Sequence, residues 1–347
     1  MIGIGIIGCG KISQVRHIPE YSENPSARLV GYFDNNYQRA VQMAEQYGGK
    51  AYSSLDELLA DPEIEAVSVC VANVAHCEVT LKALKAGKHV LCEKPMAITI
   101  DECEEMVRTA EECGKKLMIG QNQRLAAAHV KARKMVEDGV IGKVLTFRTA
   151  FGHSGPENWS VDPGRNTWFF DRRQAAMGVM ADLGIHKTDL IQYLLGQKVV
   201  ASTARLVTLD KIGPDGNLIG VDDNSICIYE MSGGAVGTMT ASWTYYGAED
   251  NSTVIFGTKG SLTIYDIDRA PIVLRTSDGK VENIEAGEIQ TNANQTRSGI
   301  IDAFMDCLAN DCEPSISGMD VLAAMRAVFA SIKSSEEGIR VEIPDNK

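Results

Sequence analysis

Three groups of residues in this chain have types and spacing that could do chemistry. The first is Gly8-Cys-Gly10-Lys11-Ile12-Ser13, reached straight from the apolar run Ile2–Ile7 and leading into a helix. A glycine at a strand end permits a tight turn, and a second lets the backbone approach a pyrophosphate. The helix N-terminus then directs free N–H groups at the phosphates. Ser13, at the third position, is small enough for helix and strand to pack closely. Asp34 closes the next apolar run, Val30-Gly-Tyr-Phe-Asp34, where an acidic side chain meets the adenosine ribose hydroxyls. Its charge opposes a 2′-phosphate, so NAD(H) is expected over NADP. Lys11 and Arg39 are the cations that could counter that phosphate.

The second group is Glu93-Lys94-Pro95, immediately after the apolar run His89–Cys92. Ligands of open parallel sheets lie beyond the carboxyl ends of the strands, which places Lys94 toward the nicotinamide end. Pro95 fixes the backbone behind it. The third group is Asp182, His186 and Asp189 within Gly178–Asp189. Helical spacing puts them on one face, where Asp182 and His186 can reach into a cleft together; the same spacing equally fits a packed structural pair. Oxidising a secondary alcohol needs a base for the hydroxyl proton while hydride leaves for nicotinamide. His186 suits the base, Lys94 can polarise the oxygen, and Asp182 can orient the imidazole or bind a second hydroxyl. No third metal ligand accompanies Asp182 and His186 apart from the distant His153, so no metal is expected.

The elements that must position these groups follow two grammars. Up to about residue 120, apolar runs (Ile2–Ile7, Arg28–Phe33, Ala66–Val71, His89–Cys92, Lys116–Ile119) alternate with helical stretches such as Asn36–Tyr47, Ala75–Ala86 and Asp101–Cys113. Thr99 and Glu102 open the last helix as N-cap and N3, and Gly87 and Gly114 fall at C-cap positions. This is the pattern of βαβ units around a parallel sheet. Beyond about 122 come a helix (Leu125–Asp138), a strand (Val144–Phe151), a long Gly-, Pro- and aromatic-containing stretch, and the helix Gly178–Leu195. Six strand-like runs follow between Val199 and Arg275, with turns at Gly233-Gly234 and Lys259-Gly260, then helices at Thr296–Ala309 and Met319–Glu336. The expected fold is α/β. An N-terminal Rossmann dinucleotide-binding domain (1–122) precedes a C-terminal α+β domain (123–347) with a large open, mainly antiparallel sheet of five or six strands.

Bulk properties exclude several classes of function. The 347 residues carry a formal charge of −12, which leaves no large basic face for nucleic acid or an anionic membrane. No apolar run approaches the length of a membrane span. The nine cysteines form no CxxC pair or zinc spacing, and several sit in apolar runs; a reducing, cytoplasmic setting without disulfides is expected.

The three groups, in this order, resemble the Gfo/Idh/MocA family, the relatives of glucose–fructose oxidoreductase and inositol dehydrogenase, and the resemblance spans essentially the whole chain. It implies that Lys94 touches nicotinamide and substrate, that His186 is the general acid/base, and that Asp182 assists and binds substrate. Val71-Ala-Asn73 and His76 are similar to the family's Thr-Pro-Asn…His segment along the cofactor, and Arg124 resembles an arginine that faces substrate. His153 and Trp168 lie in a stretch expected to shape a sugar or polyol pocket, or equally to form a surface loop packed by its own aromatics. The open sheet is implied to join homodimers or homotetramers, with the aromatic run Ala241–Tyr246 contributing or merely packing. Val71-Ala72 in place of Thr-Pro, and Ala176-Met177-Gly178 in place of a more glycine-rich run, keep the substrate open. The expected activity is NAD-dependent hydride transfer from a secondary hydroxyl of a sugar, polyol or sugar derivative. An enzyme that retains and recycles its NAD, and a non-catalytic sugar- or nucleotide-sensing regulator, are the alternatives.

Overall fold

The computed structural model describes residues 1–266, 270–287 and 297–344. Its N-terminal half threads β1 (Ile2–Ile7), α1 (Ile18–Glu23), β2 (Ala27–Phe33), α2 (Tyr37–Tyr47), β3 (Lys50–Ala51), α3 (Leu55–Ala60), β4 (Ala66–Val69), α4 (His76–Lys85), β5 (His89–Cys92), α5 (Ile100–Glu112) and β6 (Leu117–Ile119). The six strands are all parallel, in the order β3-β2-β1-β4-β5-β6, the order of a dinucleotide-binding fold. β4 is buried at every position, as a strand covered on both faces must be. The expected cap is present: the Thr99 side chain accepts the Glu102 N–H at 3.2 Å. Before α1 the chain makes a π-helical turn, Ser13–His17. Pro19, in the first turn of α1, has no N–H to give the preceding turn's carbonyls.

The C-terminal half continues with α6 (Ala127–Glu137), β7 (Val144–Gly152), α7 (Arg172–Ala175), α8 (Ile185–Leu195), β8 (Val199–Val207), β9 (Asn224–Met231), β10 (Val236–Ser242), β11 (Thr253–Gly257), β12 (Gly260–Asp266), β13 (Ala270–Thr276), β14 (Val281–Ile284), α9 (Ile300–Ala309), α10 (Gly318–Glu337) and β15 (Val341–Glu342). The sheet has nine strands, not five or six, in the order β14-β13-β12-β11-β7-β10-β9-β8-β15. β7 inserts at its centre, and the short β14 and β15 extend its edges. Only β7 and β10 run parallel. Thr296, the expected start of the penultimate helix, lies outside the described residues.

One helix helps to hold the halves together. α10, closed at its N-terminus by a reciprocal Ser317–Asp320 capping box, packs on β8 and α8 and also on α5 of the first half. α8 is buried on almost every side, so its polar side chains need internal partners. The other sheet face carries exposed Leu145, Ile226, Ile228 and Val236. No helix among the described residues is long and apolar enough to cross a membrane.

Candidate active site

The glycine turn folds as its residues require. Gly8 has φ +92°, and a Cβ there would lie 2.5 Å from the Cys70 carbonyl oxygen beyond β4. Only glycine fits that conformation and that approach. At Gly10 a Cβ would meet nothing within 4 Å; it would project into a groove of about 370 Å³ that runs over the strand ends. A backbone bare of side chain beside open space fits a pyrophosphate, and this is the observation on which the dinucleotide fits the residues present. Asp34 lines the same groove, and its carboxylate accepts the N–H groups of Cys9 and Asn36, both at 2.7 Å.

Several residues expected at the cofactor also brace the structure around the groove. The Ser13 hydroxyl is buried and donates to the Gly8 carbonyl, so it ties helix to turn and does not line the groove. His76 is buried between the carbonyls of Pro95 (2.6 Å) and Val71 (3.1 Å). Asn73 donates to the Ala175 carbonyl at 2.9 Å, joining the halves. Glu93 accepts from His17 at 2.9 Å and from the Lys94 N–H at 3.1 Å. Burial alone would raise its pKa, but His17, Arg16 and Lys94 hold it below the ordinary carboxylate range. Asn73, His76 and Glu93 line the groove nonetheless, together with Lys11, Ile12, Arg39, Val71 and Pro95. Arg39, however, reaches both oxygens of Asp162, at 2.6 and 2.7 Å, from the opposite half.

A second cavity, about 350 Å³, lies against the groove. Ile12, Lys94, Trp159 and Asp182 line both. The Lys94 ammonium donates to the Asp182 carboxylate and to the Asp182 carbonyl, each at 2.8 Å. Two of its three donors are thereby used, and one remains. The other Asp182 oxygen accepts the Trp243 indole N–H at 3.0 Å. Burial would raise the Asp182 pKa, yet Lys94, His153 and Trp243 keep it below its ordinary value. Asp182 is therefore anchored by Lys94 and Trp243 and makes no hydrogen bond to His186. One reason is local winding: Met180–Gly184 is a π-helical turn, and regular α-helix begins at Ile185.

On α8, Lys187, Thr188, Asp189 and Gln192 all have partners. His186 lines the cavity with its Nδ1 buried and unpartnered. Burial, reinforced by Lys94, pushes its pKa well below 6.5, so the imidazole is neutral and able to accept a proton. His153 also lines the cavity. Its Nδ1 accepts the Gly155 N–H at 3.0 Å, which leaves the proton on Nε2.

Two expected substrate contacts lie elsewhere. Arg124 forms a bidentate pair with the buried Asp189, Nε to Oδ2 at 2.6 Å, and does not line the cavity. A buried carboxylate demands such a partner. Trp168 stacks on Phe169, centroids 3.9 Å apart, and lines the groove, not the cavity. Sequence reasoning left Trp243 between packing and a contact surface. It is fully buried, and the alternation Met239, Ala241, Trp243 along β10 and just beyond its end was the available signal. His129, Asn251 and Tyr265, which also line the cavity, carried no signal.

A parallel dinucleotide-type domain joined by a shared cleft to an antiparallel-sheet domain defines a two-domain, nicotinamide-dependent oxidoreductase. Residues 2–121 match the GFO_IDH_MocA oxidoreductase family with its NAD-binding Rossmann fold, and residues 129–263 match the GFO/IDH/MocA C-terminal domain. The chain belongs to this family. It is 28% identical to the 1,5-anhydro-D-fructose reductase of Ensifer adhaerens over 98% of both chains. To the myo-inositol 2-dehydrogenase of Thermotoga maritima it is 26% identical, over 99% of this chain and 98% of that one. The crystal structure of aldose-aldose oxidoreductase from Caulobacter crescentus, complexed with glycerol, superposes with a TM-score of 0.84 at 28% identity, over 98% of this chain and 99% of that chain.

Proposed function

We propose that the protein is an NAD-dependent dehydrogenase acting on a secondary hydroxyl of a sugar, polyol or sugar derivative. The observation that carries this reading is Lys94: held by Asp182 at the junction of groove and cavity, it keeps one donor for a substrate oxygen. NAD, when bound, takes the hydride at its nicotinamide ring. Neutral His186 takes the hydroxyl proton, and Lys94 stabilises the charge that develops on the oxygen. Charged Asp182 keeps the ammonium in place, and His153 offers Nε2–H to a neighbouring hydroxyl. Asp34 at the groove, and Arg39 already engaged by Asp162, disfavour a 2′-phosphate and favour NAD over NADP. Residues 1–122 serve the cofactor and 123–347 the substrate. We assign the exposed apolar face of the nine-stranded sheet to contacts between copies, in a homodimer or homotetramer.

The test is a panel of inositols, aldoses and glycosides offered with NAD while nicotinamide absorbance is followed. Turnover of at least one is expected, with Lys94→Ala and His186→Ala lowering kcat by roughly 10²–10⁴. A panel that yields no NADH and no product overturns the reading. The Arg39–Asp162 pair clasps the groove from both halves, which favours a second reading in which NAD stays bound and is recycled. Cofactor retained through purification, with turnover and no net NADH, is its mark.

A further inference from the structure

Helix α9 ends without a glycine. The Cys312 N–H donates to the Cys307 carbonyl at 3.0 Å, and the Asp311 N–H to the Leu308 carbonyl at 3.5 Å. These two bonds close a helix end around one left-handed residue, and Asp311 takes that place with φ +48°. The closure folds the chain back, so the side chain of its last residue packs on that of its first. Here both are cysteine, and the way the helix ends sets two sulfurs side by side.

The Cys307 thiol donates to the Cys312 carbonyl at 2.8 Å, and the two thiols are within hydrogen-bonding reach of each other. They differ in access. Cys307 is 2% exposed, whereas Cys312 is the one exposed cysteine among the described residues. Burial, with Cys312 beside it, pushes the Cys307 thiol up to about 11, and the charge of Lys116 acts against that rise. Lys116 is held there by Asp311 at 3.6 Å and Glu313 at 3.1 Å, the residues flanking Cys312. An oxidant in solution therefore meets Cys312 first, and Cys307 is in contact with whatever forms on it.

We propose that Cys312 and Cys307 are a peroxide-responsive dithiol, in which Cys312 is oxidised first and Cys307 resolves it into a reversible disulfide. The Cys312 sulfur takes one oxygen of hydrogen peroxide, the O–O bond breaks, and the other oxygen leaves as water, giving a sulfenic acid. The Cys307 sulfur then attacks the Cys312 sulfur, the S–O bond breaks, and the Cys307 proton leaves with that oxygen as a second water. The two thiols lose two electrons, and the peroxide gains them. The disulfide spares Cys312 the further step to sulfinic acid, which thiol reductants do not reverse. Neither cysteine lines the groove or the cavity, so the inference is independent of the dehydrogenase reading. In the test, reduced full-length protein is treated with hydrogen peroxide, denatured, alkylated and digested with trypsin without reduction. Both cysteines fall in one peptide, Ser298–Arg326. Most of that peptide is expected to lose two hydrogens and escape alkylation, and dithiothreitol is expected to restore both alkylation sites. In Cys307→Ser, which keeps a donor for the Cys312 carbonyl, Cys312 is expected to end as sulfinic acid that dithiothreitol does not recover. Wild-type Cys312 reaching sulfinic acid while Cys307 is still alkylated overturns the proposal. So does a peptide whose two thiols survive peroxide, or equal recovery of Cys312 in wild type and variant.

Discussion

Arg124 shows how one residue's role depends on a partner far away in sequence. Its guanidinium, expected to face substrate, is committed to Asp189, which is 1% exposed. Arg124→Ala would leave that carboxylate buried and unpaired, at a cost of about 3–5 kcal/mol. Urea denaturation should show this loss; unchanged stability with a raised KM would restore Arg124 to the substrate site. Glycine pairs, a lysine after a strand end and a helical Asp/His spacing were readable because their chemistry is local. The Arg124–Asp189 pair, the Arg39–Asp162 clasp and the Trp243 contact to Asp182 join residues 65, 123 and 61 positions apart. No local pattern encodes such distances.

Elements were legible in proportion to how strongly one physical pattern governs them. The buried parallel strands declare themselves as apolar runs between glycine-ended helices. β14 and β15, four and two residues long, have no period of their own and exist because an edge is available to pair with. α8 is covered nearly all round, so its polar side chains reflect internal pairing and not a solvent face. β9 shows the clearest alternation: Cys227 and Tyr229 are buried, while Ile226 and Ile228 are 55% and 46% exposed. An apolar sheet face of this kind is where the proposed contacts between copies would fall. Ile226→Asp combined with Ile228→Asp should convert the proposed oligomer to monomers, measured by light scattering, with the monomer still folded by circular dichroism. An assembly unchanged in mass would place the contact elsewhere.

Across the whole molecule, titration links stability to pH. Of the six histidines, His76, His89, His129, His153 and His186 have pKa values lowered chiefly by burial. The unfolded chain therefore binds more protons than the native one below pH 6.5, and stability must fall as the solution is acidified through that value. Each fully shifted group contributes roughly 1.4 kcal/mol per pH unit. His17 moves the other way: Cys70 and Glu93 outweigh burial and raise it to about 10. It is protonated in both states below 6.5, so it does not offset the loss there, and its own contribution disappears only as pH rises toward 10. Thermal melts should show Tm dropping steeply from pH 7 to 5. A flat profile would mean that these rings are not buried neutral.

Groove and cavity have only Ile12, Lys94, Trp159 and Asp182 in common among the described residues. On the proposed reading the redox step needs only this border and His186 beside it, while much of the remaining cavity wall belongs to α6, the long loop after β7, and the loops and strands beyond β10. Inherited changes in those walls can retarget such an enzyme to a new carbohydrate and leave the redox step untouched. An engineer could exploit the same division by randomising positions such as 129, 251 and 265 while fixing the border.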